Sequence, residues 1–243
     1  MRYGRIESPD GRVRDVRFEG DQVVADDNCW SFDEVRVLAP VVPGKLLYVG
    51  MNYVDHAKEL GVALPEEPLL FFKPPSAVIG DSAEIVHPRE STRVDYEGEL
   101  AVVIGRRARD LSPSEAIDAV AGYTIANDVT ARDFQQPDTQ WTKAKAWDTF
   151  APLGPWVETD IDPADVKVET YLNGALRQHS TTSNLCFAVD ELVAYASRLM
   201  TLEAGDVIAT GTPAGIGPMR AGDEVEVRID GIGRLHNTVV ADR

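Results

Sequence analysis

The sequence predicts a β-rich α+β fold with a few short helices, and three observations carry that expectation. Short apolar or alternating segments, separated by Gly, Asp and Pro turns, recur along most of the 243 residues, as strands of half-buried sheets do. Asn173-Gly174 and Asp230-Gly231 fall between such segments and mark hairpins. The clearest helical period runs from Phe187 to Met200, where Val189, Leu192, Val193, Ala196, Leu199 and Met200 recur at helical spacing as a core-facing stripe.

In chain order, Arg12 to Phe18 and Gln22 to Ala25 alternate between Asp-Gly and Glu-Gly-Asp turns and predict a small N-terminal β appendage over residues 1–40. Pro40 and the Val-Val-Pro-Gly run to Gly44 mark its boundary, leaving residues 41–243 as the main domain. Lys45 to Gly50 predicts a buried strand, and M-N-Y-V-D-H-A-K-E-L-G a short helix stopped by Gly61. Leu69 to Lys73 is an apolar strand closing on Lys-Pro-Pro-Ser. In D-Y-E-G-E-L-A-V-V-I-G, residues 95 to 105, both faces turn apolar after Glu99, as in a strand covered on both sides. Ser112-Pro113-Ser114-Glu115 is a capping box with proline at the first helical position, predicting a helix to about Ala121. Tyr123 to Asn127 reads as a strand delivering Asp128 at its end. The prolines of Lys143 to Pro155 predict an irregular binding loop. The hairpin of Val166 to Leu172 and Ala175 to Gln178 is expected to be structural. Asp206 to Thr210 is a strand running into T-G-T-P-A-G-I-G, a turn whose N–H groups can cradle an anion but which lacks the lysine and spacing of a P-loop.

The bulk numbers bound the function. The length suits one large domain with a substantial core. No apolar run approaches the ~20 residues of a membrane span, and M-R-Y-G-R-I-E-S-P-D lacks the apolar centre of a signal peptide, so a cytoplasmic protein is expected. Two isolated cysteines, Cys29 and Cys186, exclude a disulfide framework and a Cys-based zinc site. A net charge of -16 and a pI near 4.6 argue against nucleic acid and anionic membranes as partners. Lysine is scarce, with six against eighteen arginines, yet Lys73, Lys143 and Lys145 all fall in motif-like stretches.

Glu97 and Glu99 lie two apart, so in a strand they share a face. Two carboxylates pointing into a core require a cation, whereas the same pair at a solvated strand end requires nothing, and the spacing alone allows either. The chain contains its own contrast: Glu224 and Glu226 repeat the spacing, but Arg228 shares their face and Val225, Val227 and Ile229 line the other, as in a strand with one wet side. Asp128 is the natural third oxygen donor, although Asn-Asp after a strand is also an ordinary turn. His56 and Glu59 share a helix face. A carboxylate holding an imidazole fixes its tautomer and raises its basicity, as a general base needs, and a plain solvated helix carrying Asp55 and Lys58 reads alike. His87, His179 and His236 have no partner at metal or catalytic spacing.

The order of the motifs is more specific than any one of them. N-Y-V-D-H-A-K-E, F-F-K-P-P-S-A-V-I-G, D-Y-E-G-E-L-A-V-V-I-G, N-D-V-T-A-R-D-F-Q, W-T-K-A-K-A-W-D-T-F-A-P-L-G-P and T-G-T-P-A-G-I-G follow one another in a way that resembles the fumarylacetoacetate hydrolase family over about residues 45 to 235. The resemblance implies a mixed-sheet β-roll or barrel core, a homodimer, and Mg²⁺ (or Mn²⁺) held by Glu97, Glu99 and Asp128. It implies His56 with Glu59 as a catalytic dyad on a mobile lid, Lys145 as a further catalytic residue, and Arg132, Gln135 and Thr212 as substrate contacts, with Lys73 grouped among them. The activity it implies is hydrolysis of C–C bonds in acylpyruvate-type 2,4-dioxo acids through a pyruvate enolate stabilised by metal and Lys145. The alternative is an isomerase or decarboxylase of 2-hydroxyhepta-2,4-dienedioate-type or oxaloacetate-type oxo acids in aromatic catabolism. The sequence departs from the family pattern at Gly98, where a bulkier apolar residue is common and a looser strand is expected, and at Ala146, where a serine hydroxyl near the substrate is lost.

Overall fold

The apolar run after Glu99 forms the strand Gly98–Ile104, every residue of which is buried, at the centre of a twelve-stranded mixed sheet. The computed structural model describes residues 1–61 and 63–242; Val62 and Arg243, which fall within the expected 41–243 domain, lie outside the described residues. Gly98–Ile104 pairs antiparallel with Val120–Asn127 on one side and Val207–Ala209 on the other. Beyond Val207–Ala209 come Leu46–Gly50, parallel, and Leu69–Lys73, antiparallel. Beyond Val120–Asn127 come Ala151–Glu158 and then Arg2–Glu7. The strands of the first forty residues thereby extend the sheet, packing Ile6, Val16, Phe18 and Val23 against Trp156.

A five-stranded sheet covers the central strand. It holds the Asn173-Gly174 hairpin, whose two positive φ angles, 52° and 75°, are those of a type I′ turn, and the hairpin Glu224–Ile229 with Gly233–Ala241. Leu100 and Val102 meet Val168, Val227, Ile229 and Leu235 in a core shared with the helix Val189–Leu199. That helix buries the predicted stripe except at its last turn, where Leu199 is 54% exposed. Glu224–Ile229 keeps Val225, Val227 and Ile229 inside and pairs Glu226 with Arg228 and Arg234 at the surface. A third sheet, Val94–Tyr96, Thr130–Ala131 and Gly217–Met219, takes the chain just before Glu97, just after Asp128 and just after the Gly-rich turn. No described helix is long and apolar enough to cross a membrane.

Two expectations are corrected. The capping box forms, with Ser112 N–H and Oγ on Glu115 Oε2 at 2.9 and 2.7 Å, but the helix spans only Pro113–Ala116 and a 3-10 turn, because Val120 is already paired with Ile104. The stretch from Lys143 to Pro155 is also more regular than its prolines suggest: Thr142–Lys145 is a helical turn and Ala151–Glu158 a strand. The strand accommodates Pro155 because the register against Val120–Asn127 shifts there, with Ile125 opposite Gly154 and Tyr123 opposite Glu158. A bulge needs no ladder N–H from that residue.

Gly98 sits where the five-stranded sheet crosses the central strand. A Cβ on it would lie 2.3 Å from Thr170 Oγ1 and 2.9 Å from Val227 Cγ1. The glycine therefore permits close contact between sheets and does not leave the strand loose. Gly98→Ala should overpack this contact and cost about 1–3 kcal/mol, measurable as a lower denaturant midpoint at unchanged m-value; an unchanged midpoint would show that the contact is not tight.

Candidate metal and catalytic site

The backbone changes sheets at Glu97 and again after Asn127, and this places the carboxylates. Asp128 N–H donates to Glu97 O at 2.8 Å, while Asn127 Oδ1 accepts the Glu97 N–H at 2.9 Å. Glu97, Glu99 and Asp128 are all buried, and each offers an oxygen such that all lie within 4.8 Å of one another. The same-face reading of Glu97 and Glu99 and the choice of Asp128 as third donor thus converge in space.

Three cations meet this cluster. Lys145 Nζ donates to Glu97 Oε2 at 3.0 Å and to Asp128 Oδ2 at 2.5 Å. Lys73 Nζ lies 2.6 Å from Asp128 Oδ1 and donates to Val129 O at 2.8 Å and to Phe150 O. Arg132 reaches Glu97 through Nη2, Asp95 through Nε at 3.0 Å and Gln135 Oε1 through Nη1 at 2.6 Å. Asp95, fully buried, is also gripped by Arg93 at 2.9 and 3.0 Å. Glu99 differs: among the described residues it has no ion pair, and its Oε2 accepts the Gly211 N–H at 2.9 Å.

The proton affinities follow from this arrangement. Burial, then repulsion by Asp128 and Glu97, holds the Glu99 carboxyl well above the usual carboxylate range. For Glu97 burial acts in the same sense, but Lys145 and Arg132 outweigh it and hold the group below that range. Burial lowers the Lys73 ammonium to about 8 against the pull of Asp128. Burial likewise opposes the charge on Lys145, yet Asp128 and Glu97 raise it. A set of carboxylate oxygens, one of them without a cation of its own, fits a hard divalent ion such as Mg²⁺ or Mn²⁺.

The cluster lines a cleft of about 480 Å³ together with His56, Arg132, Gln135, Lys145 and Thr212, walled by Phe71 and Trp141. His56 stands on the helix Val54–Leu60, which Gly61 ends at φ 66°. Its Nδ1 is 3.1 Å from Glu59 Oε2, and Glu59 Oε1 accepts the Gly215 N–H at 3.0 Å. Glu59 as acceptor keeps the proton on Nδ1 and leaves Nε2 as the basic nitrogen. Asp55 braces the helix, accepting from His56 N–H at 2.8 Å and Ser180 Oγ at 2.9 Å.

Lys73 does not line the cleft. It lies buried against Asp128, whose carboxylate it supports from behind the cleft. Ala146 lines a separate groove with Lys143 and Trp147, so its missing hydroxyl is not at this cleft. Sequence reasoning passed over Asp95, which orients Arg132, and Gln178, which is fully buried on the hairpin strand Ala175–Thr181. The available signal for Gln178 was its inward position in an alternating strand, since a buried amide must find partners.

Residues 45–240 match the family described as fumarylacetoacetate (FAA) hydrolase C-terminal. The structure superposes on the 5-carboxymethyl-2-hydroxymuconate delta-isomerase from Mycobacterium smegmatis with a TM-score of 0.94 and 47% identity, covering 100% of both chains. It superposes on the fumarylacetoacetate hydrolase from psychrophilic Exiguobacterium antarcticum with a TM-score of 0.89 and 41% identity, again over 100% of both chains. The oxaloacetate tautomerase fahd2, mitochondrial, of Xenopus laevis is 43% identical over 223 residues, 86% of this chain and 70% of that protein. These relatives carry the names of an isomerase, a hydrolase and a tautomerase on one fold. With the family match spanning the central strand, the carboxylate cluster and the His56 helix, the chain belongs to the fumarylacetoacetate hydrolase family of enzymes.

Proposed function

We propose that this protein is a divalent-metal-dependent hydrolase of acylpyruvate-type 2,4-dioxo acids. The observation that carries the reading is a base, His56 held by Glu59, lining the same cleft as three carboxylates and Lys145. When bound by Glu97, Glu99 and Asp128, Mg²⁺ or Mn²⁺ supplies Lewis-acid polarisation of the 2-oxo acid. His56 Nε2 takes a proton from water, and the resulting hydroxide adds to the distal carbonyl. Glu59 stabilises the imidazolium. The bond between that carbon and C3 then breaks, releasing the acyl group as a carboxylic acid and leaving its electron pair on pyruvate enolate. Lys145 faces the enolate charge, and C3 recovers the proton held on His56 Nε2 to give pyruvate and the free base.

A second reading is favoured by the relatives named isomerase and tautomerase. The same base moves a proton to or from C3 with no water attacking, which gives isomerisation or tautomerisation; loss of CO₂ from an oxaloacetate-type acid reaches the same enolate. On the resemblance and the acidic surface we also propose a cytoplasmic homodimer acting on a small oxo acid, without nucleic-acid or membrane partners.

Assayed with Mg²⁺ against acylpyruvates, oxaloacetate and 2-hydroxyhepta-2,4-dienedioate, the protein should release pyruvate from the acylpyruvates. Untouched acylpyruvate beside rapid isomerisation, tautomerisation or CO₂ release would select the second reading. His56→Ala should lower turnover by about 10²–10⁴-fold; no turnover in the parent protein on any of these substrates would leave a metal-binding protein without this chemistry. In a metal titration, Glu99→Ala should weaken Mn²⁺ binding by at least about 100-fold, the upper end of what loss of a mere supporting partner costs. Glu226→Ala should leave it unchanged, and equal losses would refute the contrast between the two pairs.

A further inference from the structure

Gly98, the residue between two of the carboxylates, is enclosed by a closed ring of hydrogen bonds. Its N–H donates to Gln178 Oε1 at 3.0 Å, and its C=O accepts from Thr212 Oγ1 at 3.0 Å. Gln178 Nε2 completes the ring by donating to Thr212 Oγ1 at 2.8 Å, and it also donates to Pro213 O at 2.8 Å. The donor roles leave one solution. Gly98 N–H can only donate and Pro213 O can only accept, which orients the amide; Thr212 Oγ1 then accepts from Nε2 and must spend its own proton on Gly98 O.

From this ring we infer that Gln178 is a positioning residue of the site. It locks the peptide that aims Glu97 and Glu99 and, through the same amide, the Thr212 hydroxyl at the cleft wall. The inference rests on the reading of the carboxylates as a metal site. Gln178 is fully buried and does not line the cleft, so it acts on the ion only through Gly98 and Thr212. The backbone permits this reach because Gly98 has no Cβ: with 2.3 Å between a Cβ and Thr170 Oγ1, a larger residue would lift the hairpin that carries Gln178. The glycine between the glutamates and the glutamine eighty residues away are thus two halves of one device. Partners that orient ligands from behind commonly govern metal affinity by about 10–100-fold.

The test uses the full chain stripped of metal, with Mn²⁺ binding followed by the spectroscopic signal of the free ion in the absence of substrate, far below the unfolding temperature. Gln178→Met, apolar and of similar length, should weaken Mn²⁺ binding by about 10–100-fold and raise KM more than it lowers kcat. Gln178→Asn keeps the amide but is one methylene too short to span from Gly98 to Thr212; it should match the methionine variant and serves in its place if that variant does not fold. Binding within twofold of the parent in a folded Gln178→Met or Gln178→Asn protein overturns the inference, because Gln178 then only fills space. Glu99→Ala in the same titration separates the two questions: weak binding there with unchanged binding in the Gln178 variants defeats the positioning role alone, and unchanged binding in Glu99→Ala defeats the metal-site reading beneath it.

Discussion

Three carboxylates brought together in the interior are the constraint on which the rest of the structure depends. With their oxygens within 4.8 Å, each pair of like charges opposes burial by on the order of 3 kcal/mol even at an effective dielectric of about 20. The fold answers with cations drawn from separate segments: Lys73 from a strand end, Arg132 from the turn after Asp128, Lys145 from a helical turn. Each is fixed by more than one acceptor, so a charge network that serves the site also ties together segments remote in sequence. Removing one partner from a buried pair costs about 3–5 kcal/mol, which makes these contacts as much a part of the fold as of its chemistry.

The topology explains why the cluster lies where it does. In the middle of a ladder, backbone groups are paired with neighbouring strands and the side chains face a covering layer. At Glu97 and after Asn127 the chain passes from the large sheet to the small one, and the groups released from the ladder become available. Asn127 Oδ1 takes up the Glu97 N–H, Glu97 O takes up the Asp128 N–H, and Gly211 N–H, from the turn after Val207–Ala209, reaches Glu99. The site is assembled from strand exits, and the three-stranded sheet holds those exits in register.

Much of this was legible because its pattern is local. Period-two alternation put Glu97 and Glu99 on one face, a strand end delivered Asp128, helical spacing joined His56 to Glu59, and Asn173-Gly174 specified its own turn. The contrast with Glu226 was legible for the same reason, since Arg228 is two residues away on the same face. What stayed hidden is what a face meets. Lys73 reads as a strand-end charge until the fold places Asp128 against it; Asp95 reads as one more acid until Arg132 and Arg93 close on it. Gln178 sits in a hairpin whose own sequence accounts for itself, and only its contact with Gly98, eighty residues away, gives it a role. The prolines near residue 155 misled for a related reason: a proline reports a missing donor, and whether a ladder needs that donor depends on the register of a distant strand.

The two Glu-x-Glu pairs show that carboxylate spacing does not by itself make a metal site. Glu226 is partly buried beneath two exposed arginines, Arg228 and Arg234, so its charge is balanced. Glu97 and Asp128 are balanced too, by Lys145, Arg132 and Lys73. Among the described residues, Glu99 alone of the cluster has no ion pair and accepts a peptide N–H instead, and burial with two anionic neighbours raises its affinity for positive charge. A fourth basic side chain at that point would satisfy Glu99 and remove the electrostatic demand for an ion. The site is therefore defined by a shortfall of charge at a buried carboxylate, placed in a cleft that a base also lines.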